Sequence, residues 1–185
     1  ARWHHRSLGT LLGAPGCFFF RKLVGGYLLN VCVGSIFAYG RLAPGFARLT
    51  GSTAAQAAVI GLAGDVGIWL NIIPCTARDR FGDRFGFGVG ALLVGVGISS
   101  TCVALSFGAH FAVVAVTWAV VGHGFCWLYC TNLISQVTSW EADARGYVVG
   151  SLQAFFGISG AVFVSIYDSL DDDDDDDGEG GKTLV

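Results

Sequence analysis

Residues 87–107 read FGVGALLVGVGISSTCVALSF, a run without a single charged side chain. A helix needs roughly 20 apolar residues to cross about 30 Å of hydrocarbon, and this run supplies them. Outward from it, four more stretches have the same character: Leu23 to Pro44, Ala54 to Cys75, Phe111 to Gln136 and Gly146 to Tyr167. Charges gather between them, in Arg78 to Arg84 and at Glu141, Asp143 and Arg145. The pattern predicts an all-α integral membrane protein, a bundle of about five transmembrane helices.

Composition agrees. Of 185 residues, 53% are hydrophobic and 14% charged, against about 25% charged in an average soluble domain. So little polar surface cannot coat a water-soluble globule, and lipid must take the place of much of the water. Half of the fourteen acidic residues are the run Asp171 to Asp177, so the net charge of -3 hides a mildly basic remainder. Three regions follow: a basic and aromatic segment, residues 1–20, expected to lie along the membrane surface; a transmembrane domain, 21–168; and an acidic low-complexity tail, 169–185, expected to be solvated and flexible. The first residue is not methionine, which suits a processed chain or part of a longer one.

With five spans, Arg2, Arg6, Arg21, Lys22, Arg78, Arg80, Arg84 and Arg145 share one side of the membrane, and Arg41, Arg48 and Lys182 the other. Eight cations against three put the N-terminus on the cytoplasmic side or its organellar equivalent. Which membrane, organellar or plasma, the sequence leaves open. The six cysteines form no CxxC pair and mostly lie in apolar runs, so they read as small packing residues. Glycines inside the spans, such as Gly90, Gly95, Gly97, Gly150, Gly157 and Gly160, read as close helix packing, with a hinge role open for Gly122 and Gly124.

Polar groups within the spans are costly there and are therefore the candidate functional residues. Asp65 lies mid-span in GLAGDVG (61–67) and is expected to line a solute or proton pathway, or to be a buried neutral carboxyl. His123, between Gly122 and Gly124, can bind substrate, relay protons, ligate a chlorophyll magnesium or bond another helix. Asn30, Asn71, Asn132 and Gln153 are further pathway candidates, although each of them, like Gln136, is more often a helix–helix hydrogen bond than a ligand contact. No GxxxxGK phosphate loop, zinc spacing or GxSxG elbow occurs, so no enzyme chemistry is indicated. No metal site and no basic patch suited to nucleic acid is expected.

The loop between the second and third spans reads CTARDRFGDR (75–84). It resembles the signature loop of the major facilitator superfamily, in which Asp-Arg-x-Gly-Arg-Arg follows a glycine. Asp79, Arg80, Gly82 and Arg84 match, whereas Cys75 stands for the leading glycine and Asp83 for one arginine. GSIFAY (34–39), GLAGDVG (61–67), RGYVVG (145–150) and FFGISGA (155–161) are similar to the first, second and fifth helices of its nodulin-like branch and of the related oxalate/formate and monocarboxylate carriers. The resemblance spans residues 20–168 and implies a half-transporter-like bundle. A carrier of that superfamily has twelve helices in two halves. This chain, with neither a sixth helix nor a second half, is then expected not to transport alone and to need other membrane-protein chains beside lipid. The alternative expectation is an accessory subunit of a large photosynthetic or respiratory complex, with chlorophyll or lipid as its ligand.

Overall fold

The computed structural model describes residues 14–179, with side chains over residues 20–169. Residues 1–13 of the expected surface segment and 180–185 of the tail lie outside the described residues. The described residues are helical almost throughout, without strands, and five segments are long and apolar enough to cross a membrane. The first span comprises α1 (Ala14–Gly34), one 3-10 turn (Ser35–Ala38) and α2 (Tyr39–Thr50). The second comprises α3 (Ala54–Trp69) and α4 (Ile72–Phe81). The third, fourth and fifth are α5 (Asp83–Ser106), α6 (Phe111–Ser139) and α7 (Ala142–Glu179). This is a multi-pass integral membrane protein.

Number and order agree with the sequence reading, but several ends differ. Pro44 does not close the first span. It forfeits the one bond its amide would make to the Gly40 carbonyl, while Tyr39 and Phe46 on either side are buried, and packing carries the helix to Thr50. Gly51, at φ 63°, caps that end, and a reciprocal pair between Thr53 and Gln56 opens α3. The second span runs past Cys75 to Phe81, because a helix may continue into charged residues once it leaves hydrocarbon. The backbone of α7 likewise stays helical through Asp171 to Asp177, where a flexible end was expected; nothing in the described side chains explains it.

The fourth span is the hub. In its most apolar window 44% of residues are buried inside the bundle, against 11% for the fifth span, so α6 holds the core and α7 lies at the rim. The α6 helix crosses α3 where Gly122 faces the backbone carbonyl of Gly64, and it meets α5 where Gly124 faces Val94. Backbones this close leave no room for side chains, and dispersion between them holds the helices together in lipid. Gly122 and Gly124 are therefore crossing points. By contrast Gly95, Gly150 and Gly157, read from sequence as packing residues, face open space, because they lie on outer faces of α5 and α7.

Cross-links at the span ends fit alternating directions. The Lys22 ammonium donates to the Ser135 carbonyl at 3.1 Å, joining the start of the first span to the end of the fourth. At the other side Arg41 Nε donates to Asp168 Oδ1 at 2.6 Å, joining the ends of the first and fifth.

Candidate functional site

The polar candidates fall into two groups that their sequence positions do not separate. Asn30 and Asn132 are 1% and 3% exposed. Asn132 Nδ2 donates to Asn30 Oδ1 at 2.9 Å and to the Gly26 carbonyl at 3.0 Å, and Asn30 Nδ2 donates to the Leu152 carbonyl at 2.8 Å. One turn on, Gln136 Nε2 donates to the Lys22 carbonyl at 2.8 Å. These amides are spent on joining the first, fourth and fifth spans.

Asn71 and Gln153 form the second group. They line a cavity of about 180 Å³ where the first, second, fourth and fifth spans meet, with Tyr129, Trp69, Ile68, Phe37 and Phe156. The second span is broken at this point for a local reason. Pro74 sits in the first turn of α4 and has no N–H for the Leu70 carbonyl, so the ladder lapses between Leu70 and Asn71. The break turns Asn71 out to the cavity. Across it, Gln153 Nε2 donates to the Tyr129 hydroxyl at 2.5 Å, while the Tyr129 ring packs against Phe156 at 5.1 Å between centroids. Two amides and a phenol thus face one another within an apolar wall, an arrangement that offers both donors and acceptors to a small guest.

Asp65 lies six residues before Asn71, about 9 Å along a helix. It is half-buried and makes no hydrogen bond or ion pair among the described residues. His123 is half-buried on α6, with Nδ1 3.4 Å from the Gly67 carbonyl and Nε2 accepting from Trp127 Nε1 at 3.2 Å. The two bonds together select the tautomer with its proton on Nδ1. A magnesium ligand at Nε2 would first have to displace the Trp127 indole. Asn30, 1% exposed and enclosed by its hydrogen bonds, therefore lies on no open surface with Asp65 and His123.

A model of the Nodulin-like family matches residues 20–178, most of the chain. The chain belongs to the Nodulin-like family. That family is related to the major facilitator superfamily, which makes this a transporter-like membrane protein. No curated protein and no solved structure matches it.

In the nodulin-like bundle the loop after the second span is organised by a residue that the motif did not single out. Arg78 is the clamp: its Nε lies 2.8 Å and its second guanidinium nitrogen 2.6 Å from Asp83 Oδ1, and the remaining one 3.1 Å from Asp79 Oδ1. Gly82 makes the turn at φ 85°, in the left-handed region that side chains resist, and donates its N–H to the Arg78 carbonyl at 2.7 Å. Arg80 lies over the Phe81 ring at 5.7 Å and, like Arg84, is exposed. Asp83, which departs from the motif, thereby gives Arg78 its partner.

Sequence reasoning also missed Tyr129 and the Arg41–Asp168 pair. For the pair a signal existed, since five alternating spans put both residues at one side. Tyr129 gave none, because a tyrosine in an aromatic span reads as packing.

Proposed function

We propose that this nodulin-like chain is the solute-binding first module of a small-solute carrier. The observation that carries the reading is the cavity of about 180 Å³ lined by Asn71, Tyr129 and Gln153, polar groups brought from three spans into one place. Polar groups placed within a membrane span stay costly unless they pair or serve a guest, and Asn71 and Gln153 are exposed at the open side of this cavity. Asp65, without a partner among the described residues, is the site's charged neighbour and is assigned the role of accepting a proton or cation along the same route. The volume suits a guest of a few heavy atoms, and the amides and phenol favour one that both accepts and donates hydrogen bonds, such as a small hydroxycarboxylate.

Transport by rocking needs a second bundle. The fifth span supports one: Gly146, Gly150, Ala154, Gly157 and Ala161 form an outward stripe of small residues, three to four apart, along a helix that buries little of itself. We assign that face to further membrane-spanning helices.

The reading is tested by binding, which needs no second bundle. Purified chain in lipid nanodiscs is titrated with formate, oxalate and lactate while its melting temperature is followed. At least one is expected to raise it, and Gln153→Leu and Asn71→Leu are expected to abolish the rise. A rise unchanged in both variants would place the guest elsewhere and remove the cavity from the account.

A further inference from the structure

Of the seven described residues that line the cavity at Asn71 and Gln153, four are aromatic (Phe37, Trp69, Tyr129 and Phe156) and none is Lys, Arg or His. The ionisable group beside it is an acid. Asp65 stands three residues before Ile68 and four before Trp69 on α3, so it shares a helix face with two lining residues, at about 5–6 Å between Cβ atoms. It is half-buried and has no hydrogen bond or ion pair among the described residues. The neighbouring basic groups are engaged elsewhere. Arg41, four residues after Phe37, is held by Asp168 and lies over the Tyr167 ring, while His123 meets the Gly67 carbonyl and the Trp127 indole.

A simple carboxylate entering this cavity brings a negative charge to a place that offers no cation and sets an acid beside it. Amides and a phenol can hydrogen-bond that charge but cannot cancel it, and a charge taken from water without a partner is costly. An ammonium on the same guest changes the balance in three ways. It cancels the guest's own charge, gives Asp65 the partner it lacks, and places a cation among aromatic rings, whose faces attract it.

We propose that the guest is a small amino acid, bound as a zwitterion. Its carboxylate accepts from the Asn71 amide and from the Tyr129 hydroxyl, whose oxygen already accepts from Gln153 and whose proton is thereby turned onward. Its ammonium lies on the Trp69 side, toward Asp65. A hydroxycarboxylate of the same skeleton binds through the first set of bonds alone, and more weakly. The selection rests on the cavity being the solute site.

The full chain in lipid nanodiscs is titrated with alanine and with lactate, which share a skeleton and differ in ammonium against hydroxyl, and the half-saturating concentration is read from the melting temperature. Alanine is expected to half-saturate at a concentration about tenfold lower than lactate. In Asp65→Asn the alanine value should rise toward that of lactate while the lactate value does not worsen, and Asp65→Glu should keep the preference. The wild-type pair decides the matter even if a variant misfolds. Lactate binding as tightly as alanine, with both lost in Gln153→Leu, would overturn the amino-acid assignment and leave the cavity as the site. A preference for alanine unchanged in a folded Asp65→Asn would overturn the part given to Asp65. Binding of neither solute, or binding that persists unchanged in Gln153→Leu, would remove the cavity and the selection together.

Discussion

Gly122→Leu is expected to prevent the bundle from assembling. A Cβ at this position meets the Gly64 carbonyl oxygen, its carbon and its Cα, all of them backbone. Side chains can turn aside; a helix backbone cannot, so α3 and α6 must separate along the interface that builds the core. Overpacking costs about 1–3 kcal/mol where side chains can adjust, and more is expected where only backbone lies in the way. The chain should lose its monodisperse peak on size-exclusion chromatography in mild detergent. Gly157→Leu is the control, since nothing stands within 4 Å of a Cβ there, and it should elute as the wild type. If both variants behave alike, the Gly64–Gly122 crossing is not what closes the bundle.

Asn132→Leu is the second large effect expected. It removes both donations from Asn132, leaving the Asn30 oxygen buried without its donor, while the Gly26 carbonyl keeps only its bond within α1. Interhelical hydrogen bonds in membranes average about 0.6 kcal/mol and reach about 1.7, so losing two while stranding the Asn30 oxygen should cost about 1–3 kcal/mol. Unfolding by a denaturing detergent, followed by tryptophan fluorescence, should report it. Asn71→Leu, at the cavity, should change stability far less and should affect binding instead. A cost at Asn71 equal to that at Asn132 would mean that the two amides do the same structural job.

That contrast also shows what could be read from the sequence. Hydropathy gives a residue's depth along a span, so the five spans and the list of polar intruders were legible. It does not give direction around the helix, and Asn132 and Gln153 look alike until one is seen to face the first span and the other the cavity. Helix ends were misread for a related reason. Pro44 and Cys75 mark where apolar composition changes, whereas α2 and α4 run on, one held by the packing of Phe46 and the other by Arg78, Asp79 and Asp83 at the water's edge. The loop motif located a turn correctly through Gly82, yet the ion pairs that hold it belong to Arg78, at a position the motif leaves unspecified. Family membership was legible because it rests on ordered short motifs over the whole bundle rather than on any one contact.

The claim that Asn71, Tyr129 and Gln153 enclose a water-reachable solute site is tested most directly by chemical labelling. Single substitutions Asn71→Cys, Gln153→Cys and Ile158→Cys are made, and the protein in intact vesicles is exposed to a membrane-impermeant maleimide, with the unsubstituted chain as background for its native cysteines. Ile158 is 57% exposed on the fifth span but faces lipid in this account, so its cysteine should stay unlabelled while those at 71 and 153 react. Failure of both cavity positions to label, with Ile158→Cys equally silent, would show the cavity to be dry and would contradict the solute-binding reading.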